Sequence, residues 1–261
     1  MNFILAGYGK MGRLIETRLA ERGCGLLAVI DPAGAAATEV PVYASLRDAL
    51  NGAPGRRLKD ADAVIEFTRP DSAVDNLLFL AQEKIPVVTG TTGWYDRLPE
   101  VSRAVTGAGS SLLWSANFSL GVNLFFRIAA CAAKLIDPFA EYDAAGFECH
   151  HNKKADSPSG TAKALAELTL ANMTRKKKAV YHLLERPPAA DELHFASVRA
   201  GSVPGTHSLF FDSAADTIEI THTARSREGF ARGAVLAAEW LIAKKRTGVF
   251  NIDDVLADIL P

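Results

Sequence analysis

"NFILAGYGKMG", residues 2–12, decides the fold of the first half of this chain. Asn2 to Ala6 is a short apolar run, and the glycines Gly7, Gly9 and Gly12 follow without a gap. Met11, Leu14, Ile15, Arg18 and Leu19 then recur at spacings of three and four, the period of a helix. A second apolar run, Leu26 to Ile30, ends at Asp31. Strand, glycine turn, helix, strand and acid together describe a dinucleotide-binding unit. Gly7 permits a tight turn, Gly9 lets backbone approach a pyrophosphate, and Gly12 lets the helix pack close to the strand. The unpaired N–H groups of the new helix, with the positive end of its dipole, face the phosphates. Asp31 stands where an acid accepts hydrogen bonds from the adenosine ribose hydroxyls. A lone glycine pattern would often mark a plain turn; here its flanks agree with it.

The alternation continues. Ala63 to Phe67, Pro86 to Gly90 and Ser111 to Ser115 read as further strands, with helical stretches near 71–83 and 96–105. Such alternation predicts a parallel sheet covered on both faces, with ligands beyond the carboxyl ends of its strands. "FTRP" (67–70), "GTTG" (90–93) and "SANFS" (115–119) sit at those ends, as turn chemistry or as cofactor contacts, and their shared location favours the second.

After Phe118 the pattern changes. Residues 121–136 read as a largely buried helix, followed by the strand-like runs "YDAAGFECHH", "LHFASVRA", "THSLFFDS" and "TIEITHTA". Turn signals at Gly201, Pro204-Gly205 and 212–216 predict antiparallel pairing, so this half is expected to be an α+β unit. Helical patterns at 228–244 and 253–260 close the chain. The expected class is α/β, a Rossmann-type parallel-sheet nucleotide domain with a second α+β domain.

Composition excludes several functions. A net charge of −1 argues against a polyanion or membrane-surface partner. The basic run Arg175 to Lys178 lacks interleaved aromatics and reads as a solvated turn after a helix. Three cysteines in no C-x-x-C pair fit a reducing compartment. Neither a signal peptide nor a bilayer-spanning run is evident, so a cytoplasmic protein is expected.

"FECHHNKKADSPSGTAKALAE" (147–167) gathers two histidines, two lysines and a Ser-Gly-Thr step at the start of a helix. Pro158 disfavours helix before it, leaving the Ser159, Gly160 and Thr161 amides as uncapped donors, a ready anion site. Lys154, four positions beyond His150, is near enough to face the same pocket. The stretch suits holding a carboxylate and delivering protons. Adjacent histidines on a regular strand point to opposite faces, so one of them would face the pocket. A zinc site from His150, His151 and Asp156 and a Cys149 nucleophile are weaker readings of the same residues, and no metal is expected.

"ECHHNKKADSPSGTA" resembles the signature of the dihydrodipicolinate reductase family. "GYGKMGR", "FTRP", "GTTG", "ANFSLGVN", "SVRAGSVPGTHS" and "EITHTARSREGFARGA" have family counterparts in the same order, so the resemblance spans the chain. It implies NAD(P)H-dependent reduction of 4-hydroxy-tetrahydrodipicolinate in the diaminopimelate route to lysine. It also implies that His150 donates and accepts a proton, that Lys154 donates one, and that His151, Gly160 and Thr161 bind substrate carboxylates. Implied cofactor contacts are Gly7, Tyr8, Gly9, Lys10, Met11, Gly12, Asp31, Arg69, Gly90, Thr91, Thr92, Ser115, Ala116, Asn117 and Phe118. The implied domains are 1–118 rejoined by 228–261, for the nucleotide, and 119–227, for substrate and for assembly into a homotetramer. Many members carry a longer glycine turn than this G-x-G-x-x-G. Asp31 repels a 2′-phosphate by about 4 kcal/mol per charge pair ~4 Å apart, so NADH is the expected cofactor, with NADPH the alternative and Lys10 or Arg13 a possible offset. A dehydrogenase of the homoserine or inositol type, or an NADH-sensing regulator, are the rival readings; a regulator would need a recognition element, and no basic helix is evident.

Overall fold

The computed structural model describes residues 1–53 and 57–260. The chain divides into two compact units, Met1–Ser119 with Arg227–Pro261, and Leu120–Ser226. In the first, β1 (Asn2–Ala6) leads through the glycine turn into α1 (Lys10–Glu21), then β2 (Gly25–Ile30), β3 (Val42–Tyr43) and α2 (Leu46–Leu50). There follow β4 (Ala63–Glu66), α3 (Pro70–Gln82), β5 (Val87–Thr89), α4 (Leu98–Ala108) and β6 (Ser111–Trp114). Prolines set two helix starts, at Pro70 and Pro99, where a missing N–H costs nothing.

The second unit contains α5 (Leu120–Ile136), β7 (Asp143–His150), α6 (Gly160–Asn172), β8 (Lys178–Val180), β9 (Glu192–Arg199), β10 (Thr206–Asp212) and β11 (Thr217–Thr223). The chain then returns to the first unit as α7 (Glu228–Ala243), β12 (Gly248–Asn251) and α8 (Ile252–Ile259).

The first sheet is ordered β12-β6-β5-β4-β1-β2-β3 and every pair in it is parallel. The order reverses between β1 and β4, the position where such sheets bind ligands. Strand residues Phe3, Ile4, Leu5, Val64, Ile65 and Val88 are buried on both faces, which is why these strands read as unbroken apolar runs.

The second sheet is ordered β11-β10-β7-β9-β8 and is mixed. The antiparallel expectation holds for β10 with β7 and with β11. It fails for β9, which runs parallel to β7, and for β8, parallel to β9. The reason is α6, a crossover helix that returns the chain in the direction of β7, as parallel neighbours require. With both edges of β9 taken, β10 pairs at the free edge of β7.

Two further expectations are corrected. Helix α5 buries only one face, Phe125, Ala129, Ala133 and Ile136, against the second core. Leu124, Ile128 and Leu135 stay exposed, because α5 packs on one side only of its sheet. The basic run is solvated only at Lys177 and Lys178. Lys176 is buried, donating to the carbonyls of Ala190 and Glu192 and pairing with Asp143, while Arg175 donates to the carbonyls of Asp137, Phe139 and Tyr142. These cations close loop ends that would otherwise bury unpaired carbonyls.

Candidate active site

The glycine turn is built by close approach. Gly7 has φ +91°, and a Cβ there would stand 2.1 Å from the Phe67 carbonyl oxygen. A Cβ at Gly12 would stand 2.3 Å from the Gly7 oxygen, whereas one at Gly9 would meet nothing within 4 Å. So two glycines pack the turn and the third leaves an open approach to the start of α1, which no side chain caps. The Asp31 carboxylate accepts from the amides of Tyr8 (2.8 Å) and Ala33 (2.9 Å), which fixes it beside the turn. The Tyr8 side chain is buried and donates to Glu16, and Arg13 lies 5.9 Å from its ring.

Gly9, Lys10, Met11, Phe67, Thr68, Pro70, Gly90, Thr91 and Thr92 line a cleft of about 390 Å³. Arg69 does not line it; its exposed guanidinium pairs with Asp71. Nor do Ser115, Ala116, Asn117 and Phe118. The Ser115 hydroxyl bonds within its own loop to Asn117, and Phe118 is buried 6.0 Å from the Phe67 ring. Beneath the cleft lies a residue that sequence reasoning missed. The fully buried Glu66 carboxylate accepts from the hydroxyls of Thr68, Thr89 and Thr91 and from the Thr68 amide (3.0 Å). It ties the loops after β4 and β5 together.

In the second unit, strand alternation puts Glu148 and His150 on the buried face of β7, with Cys149 on the other, and His151 follows just past the strand's end. The three amides read as uncapped are partly engaged. Ser159 is the N-cap of α6, its hydroxyl accepting from the Ala162 amide (3.1 Å) and its own amide donating to Glu148 Oε1 (2.9 Å). The Asp156 carboxylate lies 2.7 Å from Lys154 Nζ. Lys154 and the Gly160 amide both hold its pKa below the usual carboxylate range. A Cβ at Gly160 would meet nothing within 4 Å, so this anion-holding corner is open.

Glu148 is the centre of a buried network. Its Oε1 also accepts from the Ser197 hydroxyl (2.8 Å) and the Arg199 guanidinium (2.9 Å). Its Oε2 lies 3.0 Å from His150 Nδ1 and 3.5 Å from His207 Nε2. Burial raises the Glu148 pKa, but the donors from Ser159, Arg199 and Ser197 outweigh it and hold the group at about 2. Burial pushes His150 below its ordinary value, with Lys154 and Arg199 adding to the fall and Glu148 opposing it. His207 is pushed down to about 4, first by burial and then by His150. The ligand atoms of Glu148, His150 and His207 lie within 4.8 Å of one another, yet the Arg199 charge on Glu148 opposes a metal cation there.

The profile described as "Dihydrodipicolinate reductase, N-terminus" matches residues 1–118, and that described as "Dihydrodipicolinate reductase, C-terminus" matches 121–256. The chain belongs to the dihydrodipicolinate reductase family. It is 37% identical over 261 residues to the 4-hydroxy-tetrahydrodipicolinate reductase of Christiangramia forsetii, covering 99% of each chain. It is 35% identical to that of Archaeoglobus fulgidus, covering 95% of this chain and 96% of the relative. The fold matches the dipicolinate-bound dihydrodipicolinate reductase from Paenisporosarcina sp. TG-14 with a TM-score of 0.77 at 21% identity, over 96% of this chain and 97% of that one. Glu148, Ser197, Arg199 and His207 were not singled out from the sequence of this family member. They are spread over three strands, and only the sheet register brings them together. The one available signal was that Glu148 shares the strand face of His150.

Proposed function

We propose that this chain is an NAD(P)H-dependent reductase that converts 4-hydroxy-tetrahydrodipicolinate to tetrahydrodipicolinate, in the diaminopimelate route to lysine. The observation that carries the site assignment is the corner formed by Lys154, the Gly160 amide and Asp156, where a carboxylate is already held beside His150. A substrate carboxylate would take the place of the Asp156 side chain at the Gly160 and Thr161 amides, with His151 as a further donor. Lys154 would protonate the ring nitrogen as the ring is reduced, and His150 would exchange a proton nearby. Once the C4 hydroxyl has left as water, a bound nicotinamide would supply the hydride to ring carbon C4. Its nucleotide would lie along Gly7 to Gly12, Asp31 and the Gly90 to Thr92 loop, with Arg69 and Ser115 to Phe118 as outer contacts. Asp31, already fixed by two amides, favours NADH over NADPH by repelling a 2′-phosphate.

We further assign the second unit to substrate binding and to homotetramer assembly, which the exposed Val198 of β9 and Ile218 of β11 support. Among the described residues no helix is long and apolar enough to cross a membrane, and the cysteines are free thiols, which supports action in the cytoplasm.

The test is oxidation of NADH and, separately, of NADPH with substrate generated in place by a synthase from pyruvate and aspartate semialdehyde. Rapid oxidation, faster with NADH, is expected. No oxidation by folded protein with either cofactor would overturn the reading.

A further inference from the structure

The Glu148 carboxylate divides its two oxygens between two tasks. Oε1 is fixed by three donors from two elements: the Ser159 amide at the start of α6, and the Ser197 hydroxyl and Arg199 guanidinium on β9. Oε2 has no hydrogen-bond donor within ideal geometry among the described residues, and neither has His150 Nδ1, which lies 3.0 Å from it. Both atoms are buried and each is the nearer partner for the other, since His207 Nε2 stands 3.5 Å from Oε2 and is bonded to the Ser159 hydroxyl (3.2 Å). At the far side of the ring, a Cβ at position 205 would stand 2.9 Å from His150 Nε2, and Gly205, at φ +150°, leaves that space clear. One ring nitrogen therefore faces an anchored carboxylate, and the other abuts Gly205, where no side chain covers it.

We infer that Glu148 is a positioning residue for His150: it holds the Nδ1–H tautomer, leaving Nε2 as the atom that gives or takes the proton, and ties that ring to the start of the carboxylate-binding helix through the Ser159 amide. This rests on the proposed role of His150. The proton count is simple. Nδ1 keeps its proton toward Oε2 throughout, and Nε2 alone exchanges one with the reacting system. The charged and titratable groups around the ring are Glu148 on β7, Lys154 and Asp156 in the following loop, Arg199 on β9 and His207 on β10. Glu148 and Asp156 favour the imidazolium; Lys154, Arg199 and burial oppose it. His207, whose ring centroid lies 5.0 Å away, would oppose it when protonated.

The test is Glu148→Gln, which keeps the shape but places an amide donor or an uncharged acceptor against Nδ1. NADH binding, thermal unfolding and the pH dependence of kcat/KM are measured. The expected result is a fall in kcat of about 10²-fold, the size of one general acid–base contribution. The basic limb of the profile moves to lower pH, because losing Glu148 lowers the His150 pKa further and an acid then loses its proton earlier. NADH affinity is unchanged, and Glu148→Gln/His150→Gln is no slower than His150→Gln alone. An unmoved limb in folded Glu148→Gln, or additive losses in the double variant, would overturn the inference. If Glu148→Gln does not fold, Ser197→Ala, which removes one anchor of Oε1, is expected to move the limb the same way by a smaller step, and no movement counts against it. A His150→Gln enzyme as active as wild type would instead remove the reading on which the inference rests.

Discussion

The glycine turn and the strand–loop–helix around His150 both present helix-start amides, but they differ in what makes them specific. In the turn, specificity is main-chain geometry: Gly7 and Gly12 pack so closely that a Cβ on either would stand 2.1 or 2.3 Å from a backbone oxygen. Around His150 it is side-chain electrostatics, with Glu148 held at about 2 by donors from Ser159, Arg199 and Ser197 against its burial, and His207 at about 4 by burial and by His150. A backbone device is written in consecutive residues, whereas an electrostatic one is assembled by the sheet. The two should therefore fail differently when altered.

The sharpest contrast is expected from His150→Gln. Its kcat should fall by roughly 10² to 10⁴-fold while NADH affinity, measured by nucleotide fluorescence, stays as in wild type. A parallel loss of nucleotide binding would dissolve the distinction between the regions. Gly12→Val should do the reverse. Overpacking of about 1–3 kcal/mol against the Gly7 carbonyl should weaken NADH binding by roughly 10- to 100-fold, with the kcat of the loaded enzyme little changed. Asp31→Ser is expected to narrow the preference for NADH over NADPH by about 10-fold, a fraction of the full charge repulsion. A variant with an unchanged ratio would remove Asp31 as the determinant.

The smallest effect is on stability. His207 has a pKa of about 4 in the fold and an ordinary value of 6.5, so between those pH values the unfolded chain binds a proton that the folded chain does not. Stability should fall as pH drops from 6.5 to 4. Glu148, at about 2 against an ordinary 4.5, adds stability above 4.5 that is lost as pH falls toward 2. Urea midpoints against pH should show both declines, and His207→Gln should flatten the first and leave the second. An unaltered slope above pH 4.5 in that variant would place the titration elsewhere.

The same comparison explains what was legible in the sequence. The parallel sheet was readable because strand, glycine turn, helix and acid succeed one another within residues 2–31. Of the site around His150, the local half was readable: Lys154, Gly160 and the helix start follow within a few positions. The other half was not. Arg199 and Ser197 reach Glu148 because β9 pairs with β7 in parallel, and the turn signals pointed to antiparallel pairing. Glu66 was hidden for a similar reason. It ends an apolar run, "AVIE", that promises only core, and the threonines that neutralise its burial lie on two loops. Lys176 and Arg175 show the reverse error, since charge in a turn read as solvation when loop carbonyls elsewhere required those donors.

We propose that the first unit binds nucleotide while the loop after β7 supplies the proton. Lys154→Ala, assayed for kcat with NADH and for NADH affinity on the same preparation, tests it most directly. Loss of at least about 10²-fold in kcat with affinity within twofold of wild type is the predicted result. A variant that turns over within a few-fold of wild type would contradict it.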